Sequence, residues 1–136
     1  MKITKEYLNE LTYQIIGAAI EVHKELGPGL LEKVYEECMI YELNKRGLEV
    51  TQQVSIPIQY KDKKLRGELR LDLLIENLII MEVKAVEKLI PIHEAQLLSY
   101  MKLAEKPKGI LLNFHCTNLF YKGQKTLVNK LYASLS

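Results

Sequence analysis

Leu78-Ile79-Ile80-Met81-Glu82-Val83-Lys84-Ala85-Val86 is apolar at seven of nine positions, yet it carries an acid and a base two residues apart. Side chains alternate between the faces of a strand. Ile79, Met81, Val83 and Ala85 therefore form one greasy face, and Ile80, Glu82, Lys84 and Val86 form the other. A solvated face would be polar along its length, so the pattern predicts a central strand covered on both sides. Charges there are costly unless they are paired or bound to something.

The preceding segment repeats the oddity. Leu65–Ile75 reads as a strand whose core face is Leu69, Leu71, Leu73 and Ile75, with Arg70 and Asp72 on the other side. The connection between the two strands decides whether the charges meet. A two-residue connection at Glu76-Asn77 would set Asp72 against Met81. A three-residue connection, Glu76 to Leu78, sets Asp72 against Glu82 and Arg70 against Lys84. Only the second keeps Leu69, Leu71 and Leu73 on the side of Met81 and Val83, so the hydrophobic pattern selects it.

Two readings of this charged set stand side by side. One is a cross-strand ion network, Asp72 with Lys84 and Arg70 with Glu82 along the diagonals. Direct opposition, however, puts two acids together and two bases together, which destabilises a sheet unless something neutralises them. The other reading is a site for a hard divalent cation. Magnesium takes a few carboxylate oxygens and keeps waters, leaving room for phosphate. Phosphodiester hydrolysis fits: the ion polarises the phosphate and acidifies a water, and the lysine meets developing negative charge.

Outward from this pair, the chain reads as helices and a small sheet. Leu8, Leu11, Ile15, Ala19, Val22 and Leu26 write one stripe on a helix over about 4–26, with Thr4 as N-cap. Gly27-Pro28-Gly29 stops it. A second helix runs from just after Gly29 to Gly47, with the stripe Leu31, Val34, Tyr35, Cys38 and Leu43. From Val50 the period changes to two, and Pro57 puts that strand at an edge or beside a bulge. A third helix spans about 92–104, and Gly109–Phe114 reads as a buried strand. Leu119-Phe120-Tyr121 reads as a strand, and 126–135 as strand or helix. The predicted class is α/β (α+β), one domain over 1–136, in the order ααβββαβ with an unassigned tail.

Asp72, nine intervening residues, then Glu82-Val83-Lys84 resembles the core motif of the PD-(D/E)XK nuclease superfamily. Gly29-Leu30-Leu31-Glu32-Lys33-Val34-Tyr35 is similar to the signature of the small GxxExxY proteins placed within that superfamily. The likeness extends through Arg70-Leu71-Asp72-Leu73-Leu74 and Ile92–Tyr100, so it covers most of the chain. It implies a restriction-endonuclease-like core of helix, three-stranded meander, helix and fourth strand. It also implies roles: Asp72 and Glu82 as metal ligands, Lys84 as the catalytic lysine and Glu32 as an additional acid. Gln96 and Tyr100 resemble the Q-x-x-x-Y element beside the metal in RecB-like nucleases. The implied activity is a magnesium-dependent nuclease acting on DNA, with manganese able to substitute. Superfamily relatives include catalytically silent proteins, so a nucleic-acid-binding or protein-interaction module is the alternative.

Without the resemblance, Tyr35 packs at the core margin while Glu32 and Glu36 favour the helix's N-terminal half. With it, Leu31, Val34 and Cys38 face the sheet and bring Glu32 to the rim of the Asp72–Glu82 face, and Tyr35 orients Glu32 by a hydrogen bond. His93, Gln96 and Tyr100 share one face of the third helix. Lys61, Lys63, Lys64 and Arg66 form a basic cluster that reads either as a solvated turn or as a phosphate contact beside the nuclease site.

Composition bounds these readings. The chain has 136 residues, a formal charge of +2 and 48% hydrophobic residues, which excludes collagen, coiled-coil and disordered classes. Two cysteines, Cys38 and Cys116, are too few for a disulfide framework or a cysteine zinc site. No apolar run reaches membrane-spanning length, and Met1–Glu6 lacks a signal peptide's apolar segment. The expectation is a reduced, cytoplasmic protein with no membrane partner, for which a homodimer would widen the footprint on nucleic acid.

Overall fold

A computed structural model describes residues 2–136, and Met1 lies outside it. Helix α1 (Lys5–Leu26) begins where the Thr4 hydroxyl accepts the Tyr7 N–H at 3.1 Å. It ends at Gly27, whose φ of 68° and ψ of −175° belong to a region only glycine enters without strain. Helix α2 (Glu32–Lys45) follows, then strands β1 (Val50–Tyr60), β2 (Lys63–Ile75) and β3 (Ile79–Lys84). Helix α3 (Pro91–Ala104) leads to β4 (Lys108–Asn113). The tail is a short helix α4 (Leu119–Lys122), strand β5 (Gln124–Val128) and helix α5 (Lys130–Ala133). Leu119-Phe120-Tyr121 is thus helical rather than a strand, because Asn118 caps it by accepting the Tyr121 N–H.

The five strands form one mixed sheet in the order β1-β2-β3-β4-β5. Only β3 and β4 are parallel, as the α3 crossover requires. β3 is central and buried through Val83. Pro57 satisfies both halves of its expectation: β1 is an edge strand, and its register shifts between Pro57 and Gln59.

One sheet face carries the larger core. Leu73, Ile75, Ile79, Met81 and Val83 pack there with Leu8, Leu11, Ile15 and Val22 of α1 and Tyr35, Met39 and Leu43 of α2. The other face carries a smaller one, where Leu71, Leu74, Ile80 and Leu111 meet Leu97 and Met101 of α3. Helix α3 approaches β4 over Gly109. A Cβ there would lie 2.8 Å from Met101 Sδ and 2.9 Å from Leu97 Cδ1.

The structure corrects three packing expectations. Leu26 is 37% exposed, at the frayed end of its stripe. In α2, Leu31 is 78% and Val34 38% exposed, and the buried face is Tyr35, Glu36, Met39 and Leu43. Leu71 does not share a core with Leu73. The strand inverts at Asp72, so Leu73 faces α1 and α2 while Leu71 packs with α3. Across from Asp72, Gln53 holds φ at 50° within β1 and interrupts the β1–β2 pairing between Gln52↔Leu73 and Val54↔Leu71.

Candidate active site

The three-residue connection is the one formed: Ile75 pairs with Ile79, Leu74 with Ile80 and Leu73 with Met81. Beyond Leu73↔Met81 the backbone ladder gives way to side chains. The Asp72 N–H donates to Glu82 Oε2 at 2.9 Å, and the Val83 N–H donates to Asp72 Oδ2 at 2.9 Å. Each carboxylate thus satisfies a backbone donor of the opposite strand. Strand continuity is exchanged for two fixed acids facing one another. Arg70 is exposed and pairs with Ser55 of β1, and β2 and β3 no longer pair at its level.

Both acids are under electrostatic stress. Burial, reinforced by the charge of Asp72, pushes the Glu82 carboxyl up to about 8. Burial also raises Asp72, against the opposing pull of the Val83 N–H and Lys84, while Glu32 adds to the rise. Lys84, half-buried at the end of β3, is the cation that steadies both.

Glu32 opens α2, and its Oε2 accepts the Ala85 N–H at 3.3 Å, one residue past Lys84. It reaches the site from a different helical stripe than expected, since Leu31 faces solvent. Tyr35 does not hydrogen-bond Glu32. Its hydroxyl donates to the Gly27 carbonyl at 2.6 Å and accepts the Leu30 N–H at 3.1 Å, while its ring stacks on Phe114 at 4.4 Å. Tyr35 therefore fixes the loop that delivers Glu32.

Sequence reasoning assigned Glu36 no role at the site, but the structure buries it there. Gln53 Nε2 donates to Glu36 Oε1 at 2.9 Å, and burial plus the charge of Asp72 raise its carboxyl. The available signal was its spacing of four from Glu32 on one helix face. Asn113, buried at the end of β4, was also missed. It accepts the Val86 N–H at 3.1 Å and donates to the Val86 carbonyl at 2.9 Å, and the Phe114 N–H donates to the Lys84 carbonyl at 3.0 Å. These bonds clamp the chain on either side of Ala85.

From α3, Tyr100 lies within reach of the charges on Glu82 and Asp72. Burial and those charges raise its hydroxyl, while the Gln96 side chain one turn back opposes the rise. His93 is a structural cap: its Nδ1 accepts the Ile90 N–H at 3.1 Å. Lys61, Lys63, Lys64 and Arg66 lie at the exposed tip of the β1–β2 hairpin, not beside the acids.

No group of three or more His, Cys, Asp or Glu side chains among the described residues converges to cage a metal. A magnesium site needs less, because the ion keeps several waters and binds through one or two carboxylates. Among the described residues no buried side-chain nitrogen or oxygen lacks a partner, so no orphaned buried atom marks the site. Four acids, the buried Glu82 and Glu36, the half-buried Asp72 and the nearby Glu32, outnumber the two lysines, Lys84 and Lys33, whose charges reach Asp72, so the residues fit a divalent cation.

Two strand-borne acids and a lysine thus gather at the end of a central strand with helices packed on both sheet faces, an arrangement consistent with a restriction-endonuclease-like fold. The family comparison agrees: residues 9–126 match the PD-(D/E)XK nuclease superfamily, and the chain belongs to it. Neither a curated protein nor a solved structure matches the chain. No helix among the described residues is long and apolar enough to cross a membrane.

Proposed function

We propose that this protein is a magnesium-dependent nuclease of the GxxExxY type that hydrolyses phosphodiester bonds in DNA. The observation that carries the reading is the reciprocal brace, in which Asp72 and Glu82 each hold the other strand's N–H with one oxygen and leave the second outside the brace. Those oxygens would hold magnesium or manganese, which supplies polarisation of the phosphate and a more acidic water. Lys84 places an ammonium two residues from Glu82, where it donates to negative charge developing on the phosphate. Glu32 steadies the turn after Lys84 through the Ala85 N–H. Gln96 and Tyr100 line the side approached from α3. The GxxExxY signature has a physical basis in this chain: Gly29 adopts φ of 106°, Glu32 meets Ala85, and Tyr35 ties Gly27 to Leu30.

A homodimer belongs to the same reading, because one chain carries one acid pair and cutting both strands of a duplex calls for two. The two free, half-buried thiols suit a reducing cytoplasm.

The test is a magnesium and manganese titration followed by melting, alongside cleavage of a DNA substrate. Wild type should gain melting temperature with ion, as ligand binding stabilises the native state. Asp72→Asn should keep its fold and lose both that gain and cleavage. Lys84→Ala should keep the gain but lose cleavage by about 10²-fold or more, the scale of one electrostatic stabiliser. Ion-independent melting of the wild type, or equal cleavage by Lys84→Ala, overturns the assignment.

A further inference from the structure

The β1–β2 hairpin continues past the sheet. Its ladder runs on to Tyr60↔Lys63, and every residue from 59 to 68 is exposed. Charge is concentrated here. Residues 59–70 hold Lys61, Lys63, Lys64, Arg66 and Arg70 against Asp62 and Glu68, a net of +3, so the rest of the chain is at −1. On β2, Lys63, Lys64 and Arg66 lie toward the exposed tip and Arg70 further in, with the acid Glu68 and a shift in the β1–β2 register between Lys64 and Arg70. Lys63 stands nine residues before Asp72 on the same strand, roughly 30 Å at about 3.4 Å per residue.

We propose that this hairpin is an arm that grips double-stranded DNA about nine base pairs to one side of the reacting phosphate. The inference rests on the nuclease reading and adds a substrate class, a duplex, and a footprint. Phosphates along one strand of B-DNA repeat about every 3.4 Å, so an arm of this reach spans most of one helical turn. A duplex has a persistence length of about 150 base pairs, so anchoring one phosphate at the acids fixes the others within reach of the tip. A single strand would have to be straightened to reach both places. Lysines and one arginine without a rigid pocket address phosphates rather than bases, which makes the grip independent of sequence. The arm also supplies the cations that the acid-rich end lacks.

The experiment measures binding of fluorescein-labelled DNA by anisotropy in EDTA, where no magnesium supports cleavage, over a range of salt concentrations. The combined variant Lys61→Gln, Lys63→Gln, Lys64→Gln and Arg66→Gln should lower the slope of log K against log salt by about three to four, near 0.9 per phosphate contact. Its Kd for a 24-base-pair duplex should weaken by about tenfold or more with the loss of about four phosphate contacts. Wild type should prefer that duplex over a duplex of about eight base pairs and over a single strand, and the combined variant should lose most of that preference. Lys61→Arg, Lys63→Arg and Lys64→Arg together should retain the wild-type slope, which separates charge from hairpin integrity. If the glutamine variant misfolds, Lys63→Gln with Lys64→Gln alone should lower the slope by about two. An unchanged slope, indifference to duplex length, or equal affinity for single strands overturns the arm. Magnesium-dependent cleavage persisting beside such a result would leave the nuclease reading standing. Duplex gripping without any cleavage or ion-induced stabilisation would do the reverse.

Discussion

The two faces of the sheet are unequal. The face under α1 and α2 gathers eighteen buried residues, whereas the face under α3 gathers six. Of the long helices, α3 buries only Leu97 and Met101, while α1 buries six residues. The acids sit where the two faces meet, with Glu32 and Glu36 arriving from the thick side and Tyr100 from the thin one. The division separates tasks: one face supplies stability, and the other closes the site with a lightly anchored helix. Elements that exchange with solvent or move on binding are drawn from such low-stability regions.

The sharpest test of this inequality uses two leucines two positions apart. Leu73→Ala opens the larger core and should cost about 4 kcal/mol, near the upper part of the range for buried leucine truncation. Leu71→Ala opens the smaller core, where α3 can settle into the void, and should cost about 2 kcal/mol. Urea denaturation measures both, and equal losses would dissolve the distinction.

The acid pair gives the second test. Because the Glu82 carboxyl is raised from 4.5 to about 8 in the fold, the folded state holds its proton more tightly than the unfolded chain. Without metal, the stability linked to that proton is complete below about pH 4.5 and is lost as pH rises through about 8. Melting temperature in EDTA should therefore fall between pH 5 and 8.5, and Glu82→Gln should flatten much of the decline. The amide oxygen of Gln can still accept the Asp72 N–H, so the brace survives while the charge does not. A variant as pH-sensitive as wild type would show that the burden lies elsewhere.

The smallest effect belongs to Tyr35→Phe. The ring remains stacked on Phe114, but the Gly27 carbonyl and Leu30 N–H lose their shared partner. A loss of about 1–2 kcal/mol is expected. Amide exchange at Leu30 should quicken, while exchange in β4 should change little.

Much of this arrangement is legible in the sequence. The parity of Leu69, Leu71 and Leu73 with Met81 and Val83 selects the connection that brings Asp72 and Glu82 together, because one residue of slip would expose a whole face, and the choice is right although Leu71 lies on the opposite face. Leu71 was misassigned because leucine is equally at home on either buried face, and a glutamine at position 53 gives no sign that its backbone turns left-handed. The α2 stripe is right at Tyr35 and Leu43 but fails at Leu31 and Val34 for a related reason. Leu31-Val34-Cys38 and Tyr35-Met39-Leu43 are both helical stripes, and a buried Glu36 contradicts the rule that would have chosen between them. The tail elements, four and five residues long, are too short for periodicity to declare itself.

Pro57 and the register shift beside it also govern how molecules meet at high concentration. An edge strand with a free row of donors and acceptors is a template for joining sheets between copies. Proline removes one donor from that row, the shift skews the next, and the positively charged tip repels its like. The hairpin is thereby kept from acquiring a third strand, so the protein should remain free of fibrous association in low salt, and screening of the tip should be what first erodes that protection.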